Sequence, residues 1–180
     1  MKIFGIDPGS ERTGYGCIDV QGSRHHLVIC GSISAPARST FPDKLKFIHA
    51  DLVALLARHR PDCVAVETIF HARNVRSALK LGHARGIALL AASEAGLPVA
   101  EYAPAEIKRA VVGFGRAEKH QVQQMVKLLL GLDTIPSPHD AADALAVAIC
   151  HVNSSTGIVA ERIAAAKPST TLRSWRDFRP

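Results

Sequence analysis

Two short apolar runs, Ile3-Phe4-Gly5-Ile6 and Cys63-Val64-Ala65-Val66, each end in a carboxylate, Asp7 and Glu67. Apolar runs of this length, bounded by turn formers, have the pattern of strands buried on both faces. Asp-Pro-Gly closes the first run as a turn. The second is expected to lie parallel to the first. A carboxylate at the end of a buried strand is costly to desolvate alone. Several of them meeting at one sheet end repel one another and call for a cation.

The remaining pattern sets the architecture. Thr13–Val20 and His25–Ser34 read as strands separated by Gln21-Gly22-Ser23, which makes an antiparallel meander with Lys2–Pro8. In Phe41–Arg60 the period changes: Leu45, Ile48, Leu52, Leu55 and Leu56 recur at helical spacing, and Pro61 ends the helix. Asn74–Ala95 is a long helix stopped by Gly96 and Pro98, and Val99–Tyr102 is a fifth strand. Pro104–Val112, Glu118–Leu130 and His139–His151 read as three further helices. The expected fold is α/β or α+β: a five-stranded mixed sheet flanked by helices, spanning residues 1–152. Asn153-Ser154-Ser155-Thr156-Gly157 is a breaker cluster, and Ser169–Pro180 is polar and Arg-rich. Residues 153–180 are therefore expected to form a flexible basic tail.

Composition narrows the partners. Of 180 residues, 47% are hydrophobic and 21% charged, enough apolar side chain for a real core. The 22 Lys and Arg against 16 Asp and Glu leave a net charge of +6, which points to a polyanion, nucleic acid first. The first residues lack the pattern of a secretory leader, and the longest apolar run, Ala144–Cys150, is too short for a membrane span. Cys17, Cys30, Cys63 and Cys150 form no C-x-x-C pair and sit among apolar residues. They read as reduced, buried thiols of a cytoplasmic protein.

Two more acids join the strand-end pair. Asp140 and Asp143 lie three apart on a helix otherwise made of Ala, Leu, Val and Ile, so they share one face. Mg²⁺ suits such a set of hard oxygens. Two such ions about 3.5–4 Å apart form a clamp for in-line phosphodiester hydrolysis. Each acid alone has an ordinary alternative: a turn former at Asp7, a helix N-terminal acid at Glu67, a cap at Asp140. His139 is a ligand or proton shuttle beside Asp140, or else a residue of the loop edge.

The motifs Phe4-Gly5-Ile6-Asp7-Pro8-Gly9-Ser10, Thr13-Gly14-Tyr15-Gly16, Val66-Glu67-Thr68-Ile69-Phe70, Ala78–Gly86 and Asp140–Ala146 occur in that order, with Val111-Val112-Gly113 and Glu118-Lys119 between the last two. Together they resemble the bacterial Holliday-junction resolvases of the RuvC family. The resemblance implies a ribonuclease-H-like fold and a homodimer. It implies paired nicking of two like-polarity strands of a four-way DNA junction in recombination and repair, leaving 5′-phosphate and 3′-hydroxyl ends. Asp7, Glu67, Asp140 and Asp143 match the family's acidic catalytic and metal ligands, for two Mg²⁺ with Mn²⁺ as a possible substitute. The branch-migration proteins RuvA and RuvB are the partners the family implies. Phe70 matches a residue that wedges between or stacks on junction bases, in a loop with His71, Arg73 and Arg76. Lys108 and Lys119 match bases near the scissile phosphate. Arg109 and Arg116 lie beside them, as phosphate ligands or as a solvated face.

Ala78, Gly82 and Gly86 fall at i, i+4 and i+8 of one helix. Glycine inside a helix costs about 1 kcal/mol against alanine, so this ridge needs a close neighbour. That neighbour is either the domain's own sheet or a second copy of the helix. One rival reading starts from Gly5-Ile6-Asp7-Pro8-Gly9, which also resembles the phosphate-binding turn of actin-like ATPases and sugar kinases. Those carry two such lobes, for which 180 residues are too few.

Overall fold

The computed structural model describes residues 1–68 and 74–164. Five strands form one sheet in the order β3-β2-β1-β4-β5. β1 (Lys2–Asp7), β2 (Thr13–Gln21) and β3 (Arg24–Ile33) make the expected antiparallel meander. β4 (Cys63–Glu67) and β5 (Val99–Tyr102) add to its other edge in parallel. The two carboxylate-ended runs are thus the central neighbours. They are buried as their pattern requires, with Ile3, Phe4, Ile6, Val64, Ala65 and Val66 fully inaccessible.

Helices cover both faces. On one, α1 (Phe41–His59) and α2 (Val75–Glu94) pack Ile48, Leu52, Ala88, Ala91 and Ala92 over Phe4, Ile6, Val64 and Val66. On the other, α3 (Pro104–Val112), α4 (Lys119–Leu129) and α5 (His139–Ala164) enclose Ile3, Ile18 and Ala65 with Ile107, Val126, Leu145 and Ile149. Local signals set the ends. The Asn74 side chain accepts the Ser77 N–H at 2.8 Å and starts α2. Arg60, in the left-handed region at φ 46°, closes α1 just before Pro61.

α5 lies directly on bare strand backbone. A Cβ at Gly5 would stand 2.0 Å from the Ala144 carbonyl oxygen, and one at Gly14 would stand 2.1 Å from that of Asp140. No side chain fits at either point. The helix meets the sheet with Ala141, Ala144, Leu145 and Ala148, all fully buried. Glycine in the strands and alanine in the helix together set the short distance at which Asp140 and Asp143 are held.

One expectation changes. α5 does not stop at His151: it runs across Asn153–Gly157 to Ala164. Asn153 and Ser154 find partners without leaving the helix. Asn153 Nδ2 donates to the Ala110 carbonyl of α3 at 2.9 Å, and Ser154 Oγ lies 3.9 Å from Cys150 Sγ. A few tenths of a kcal/mol of poor propensity per residue does not end a helix that is anchored this way. The boundary at 152 is therefore no break in secondary structure, while the Arg-rich stretch 169–180 lies outside the described residues.

The structure also decides between the two readings of the small-residue ridge. Ala78, Gly82 and Gly86 are exposed, and among the described residues a Cβ on either glycine would meet nothing within 4 Å. The ridge does not pack on its own sheet; α2 uses Ala84, Ala88, Ala91 and Ala92 for that. Among the described residues, no helix is long and apolar enough to cross a membrane. All four cysteines are free thiols, with burial pushing Cys17 and Cys150 up to about 11.

Candidate active site

Parallel pairing of Ile6 with Val66 puts Asp7 and Glu67 side by side as the next residues of β1 and β4. α5 brings Asp140 and Asp143 over them. One oxygen from each of Asp7, Asp140 and Asp143 lies within 4.8 Å of the others. Glu67 joins the group through a hydrogen bond with Asp7. All are hard oxygen donors of like charge, a set that suits a divalent cation such as Mg²⁺ or Mn²⁺.

The electrostatics carry the mark of that crowding. Burial, then the charges of Asp143 and Asp140, push Asp7 up to about 6. Burial, then the Asp7 and Asp143 charges, push Glu67 up to about 8. Without a cation, Glu67 therefore holds a proton near neutrality and donates it to Asp7. Two basic side chains neutralise the α5 acids. Lys119 Nζ lies 2.5 Å from Asp143 Oδ2, and Arg12 Nη1 lies 3.6 Å from Asp140 Oδ2. Burial opposes the Lys119 charge, but the Asp143 hydrogen bond and the charges of Asp143, Asp7 and Asp140 outweigh it and raise its pKa.

Three clefts open around the cluster. The first, about 480 Å³, is lined by Asp7, Pro8, Glu67, Leu81, Lys108 and Gly115. The second, about 300 Å³, takes in Asp7, Glu67, Lys108, Lys119 and Asp143. The third, about 530 Å³, is formed by Arg12, Lys119, Ser137, Pro138, His139 and Asp140. Lys108 and Lys119 thus stand where a phosphate above the acids would lie. Arg76, Arg109 and Arg116 are exposed, and none of them lines these clefts. Phe70, His71 and Arg73 lie outside the described residues.

His139 is tied away from the acids: its Nδ1 pairs at 3.0 Å with Nε2 of the buried Gln123 on α4. Arg12 escaped the sequence reading. Its one signal was position, five residues after Asp7 in the β1–β2 turn.

A central strand ending in aspartate, a parallel neighbour ending in glutamate and a helix supplying two more acids across a β3-β2-β1-β4-β5 sheet define the ribonuclease-H-like class. The family described as Crossover junction endodeoxyribonuclease RuvC matches residues 3–151. The chain belongs to this family. It is 54% identical to the Crossover junction endodeoxyribonuclease RuvC of Heliobacterium modesticaldum, over 90% of this chain and all of that protein. It is 49% identical to the Trichlorobacter lovleyi protein of the same name over the full length of both. The structure of Thermus thermophilus RuvC in complex with a Holliday junction substrate superposes with a TM-score of 0.80 at 35% identity, covering 87% of this chain and 96% of that one.

Proposed function

We propose that this chain resolves Holliday junctions by symmetric nicking of two like-polarity strands, with Asp7, Glu67, Asp140 and Asp143 as its catalytic and metal-holding residues. The observation that carries this reading is the meeting of four acids from three separate elements beneath clefts lined by Lys108 and Lys119. Asp7, Asp140 and Asp143 hold the divalent cations, two Mg²⁺ per site with Mn²⁺ as a substitute, and Glu67 completes the set as it gives up its proton. The bound metal supplies an activated water and charge stabilisation for phosphodiester hydrolysis to 5′-phosphate and 3′-hydroxyl ends. Lys108 and Lys119 neutralise the phosphate held over the acids. Phe70, Arg73 and Arg76 engage the junction itself.

Two copies of the chain act together. The uncovered face of α2 supports this: Val75 is 77% exposed, Leu79 60% and Leu90 47%, alongside the open glycines 82 and 86. A twofold homodimer sets two centres against a near-twofold substrate. The nuclease unit is residues 1–152 with a basic extension to 180, working in the cytoplasm with RuvA and RuvB.

The test uses a mobile four-way junction, the matched linear duplex and an RNA–DNA hybrid, each with and without Mg²⁺, with the nicks mapped. Paired nicks on the junction alone, only with Mg²⁺, are expected. Asp7→Asn and Glu67→Gln should abolish them and leave junction binding largely intact. Near wild-type nicking by either variant would overturn the site assignment.

A further inference from the structure

Neighbouring clefts around the acids share cationic walls. Lys108 lines the first and second, and Lys119 lines the second and third. The clefts follow one another around the carboxylates, and the third lies at the Asp140 end. Arg12 is the cation of that end.

The backbone of Arg12 is fixed by a tight turn. The Thr13 hydroxyl, fully buried, donates to the Gly9 carbonyl at 3.0 Å. A Cβ at Gly9 would stand 2.0 Å from the Arg12 carbonyl oxygen, so the two ends of the turn touch. The side chain, by contrast, is 54% exposed and sits 3.6 Å from Asp140, beyond a good hydrogen bond. An exposed ion pair of that length holds its arginine weakly. A rigid base with a loosely held guanidinium fork is suited to a phosphate, whose oxygens it can meet in pairs.

We propose that Arg12 binds a backbone phosphate of the cleaved strand, next to the scissile one, in the cleft it forms with Lys119 and Ser137–His139. This rests on the carboxylates being the nuclease centre. While DNA is absent, Asp140 is the anion nearest the guanidinium. A divalent cation held by the acids would compete for Asp140 and leave Arg12 free for the phosphate.

The test measures junction affinity in a Glu67→Gln background with Mg²⁺, neutralising one phosphate at a time with methylphosphonate on either side of the scissile bond. With Arg12 present, one neighbouring phosphate should cost about tenfold in affinity when neutralised. With Arg12→Ala added, neutralising that phosphate should cost nothing further, and the log–log salt slope should fall by about 0.9. Arg12→Lys should keep the slope and lose part of the affinity. An unchanged slope and an unchanged phosphate pattern in Arg12→Ala would overturn the proposal, leaving Arg12 only as the partner of Asp140. Nicking by the Glu67→Gln protein would instead count against the centre itself, and that outcome is read on the same gels.

Discussion

α5 and α2 are both rich in small residues, and they face them in opposite directions. α5 turns Ala141, Ala144 and Ala148 onto the glycine backbone of β1 and β2, which draws two carboxylates down to the sheet. α2 buries a similar alanine stripe, yet it also presents Gly82 and Gly86 to the outside. A small side chain facing inward sets the spacing of a site within one chain. The same chemistry facing outward sets how closely another backbone can come.

The sharpest way to break this contrast is at Gly5. Gly5→Ala drives a methyl group into the Ala144 carbonyl, with backbone on both sides and nothing flexible to yield. It should cost about 3 kcal/mol or more, or prevent folding altogether. Urea unfolding measures it, and near wild-type stability would show that α5 can lift from the sheet.

A smaller effect concerns the charge held under α5. Asp7 and Glu67 titrate above their ordinary values of 3.8 and 4.5, at about 6 and about 8. The folded chain therefore binds more protons than the unfolded one between about pH 4 and pH 8. In metal-free buffer, stability should fall as pH rises through that window. Glu67→Gln should flatten the upper part of the decline, and Mg²⁺ should raise the melting temperature most at the high-pH end. A melting temperature in chelator that rises from pH 5 to pH 8 would contradict the crowding of these acids.

The smallest effect on the fold belongs to α2. Gly82→Leu meets open space, so the single chain should keep its stability or gain about 0.8 kcal/mol from helix propensity. Sedimentation should nevertheless show weakened self-association. An unchanged dimer would place the partner surface elsewhere, and a destabilised single chain would mean that the ridge packs within the domain after all.

Much of this molecule was legible in its residues because the signals were local. Apolar runs, their turn formers and a change of period marked all five strands and the starts of the helices. The four acids stood out because Asp7 and Glu67 end buried strands and Asp143 interrupts an apolar helix. What stayed hidden depends on distance in space. Periodicity places Gly82 and Gly86 on one face of α2 but cannot say which way that face points. The end of α5 is hidden in the sequence because Asn153 looks like a breaker until Ala110, 43 residues earlier, accepts its amide. Lys119 was read as a phosphate ligand, and its partnership with Asp143, 24 residues on, shows only after folding. Arg12 belongs with these, since only the turn geometry carries it to Asp140.

The seat of α5 on glycine backbone also governs when the site can come apart. Where α5 crosses Gly5 and Gly14, backbone meets helix with no side chain between them whose rotation could let Asp140 and Asp143 move away from Asp7. Separating them requires α5 to leave β1, the central strand of the sheet, and such an opening belongs to the rarest excursions of a folded chain. The amide protons of Gly5 and Ile6 should therefore exchange with solvent on the same slow clock as those of Ala144–Ala148. The chemistry of this molecule then resides in its last part to breathe.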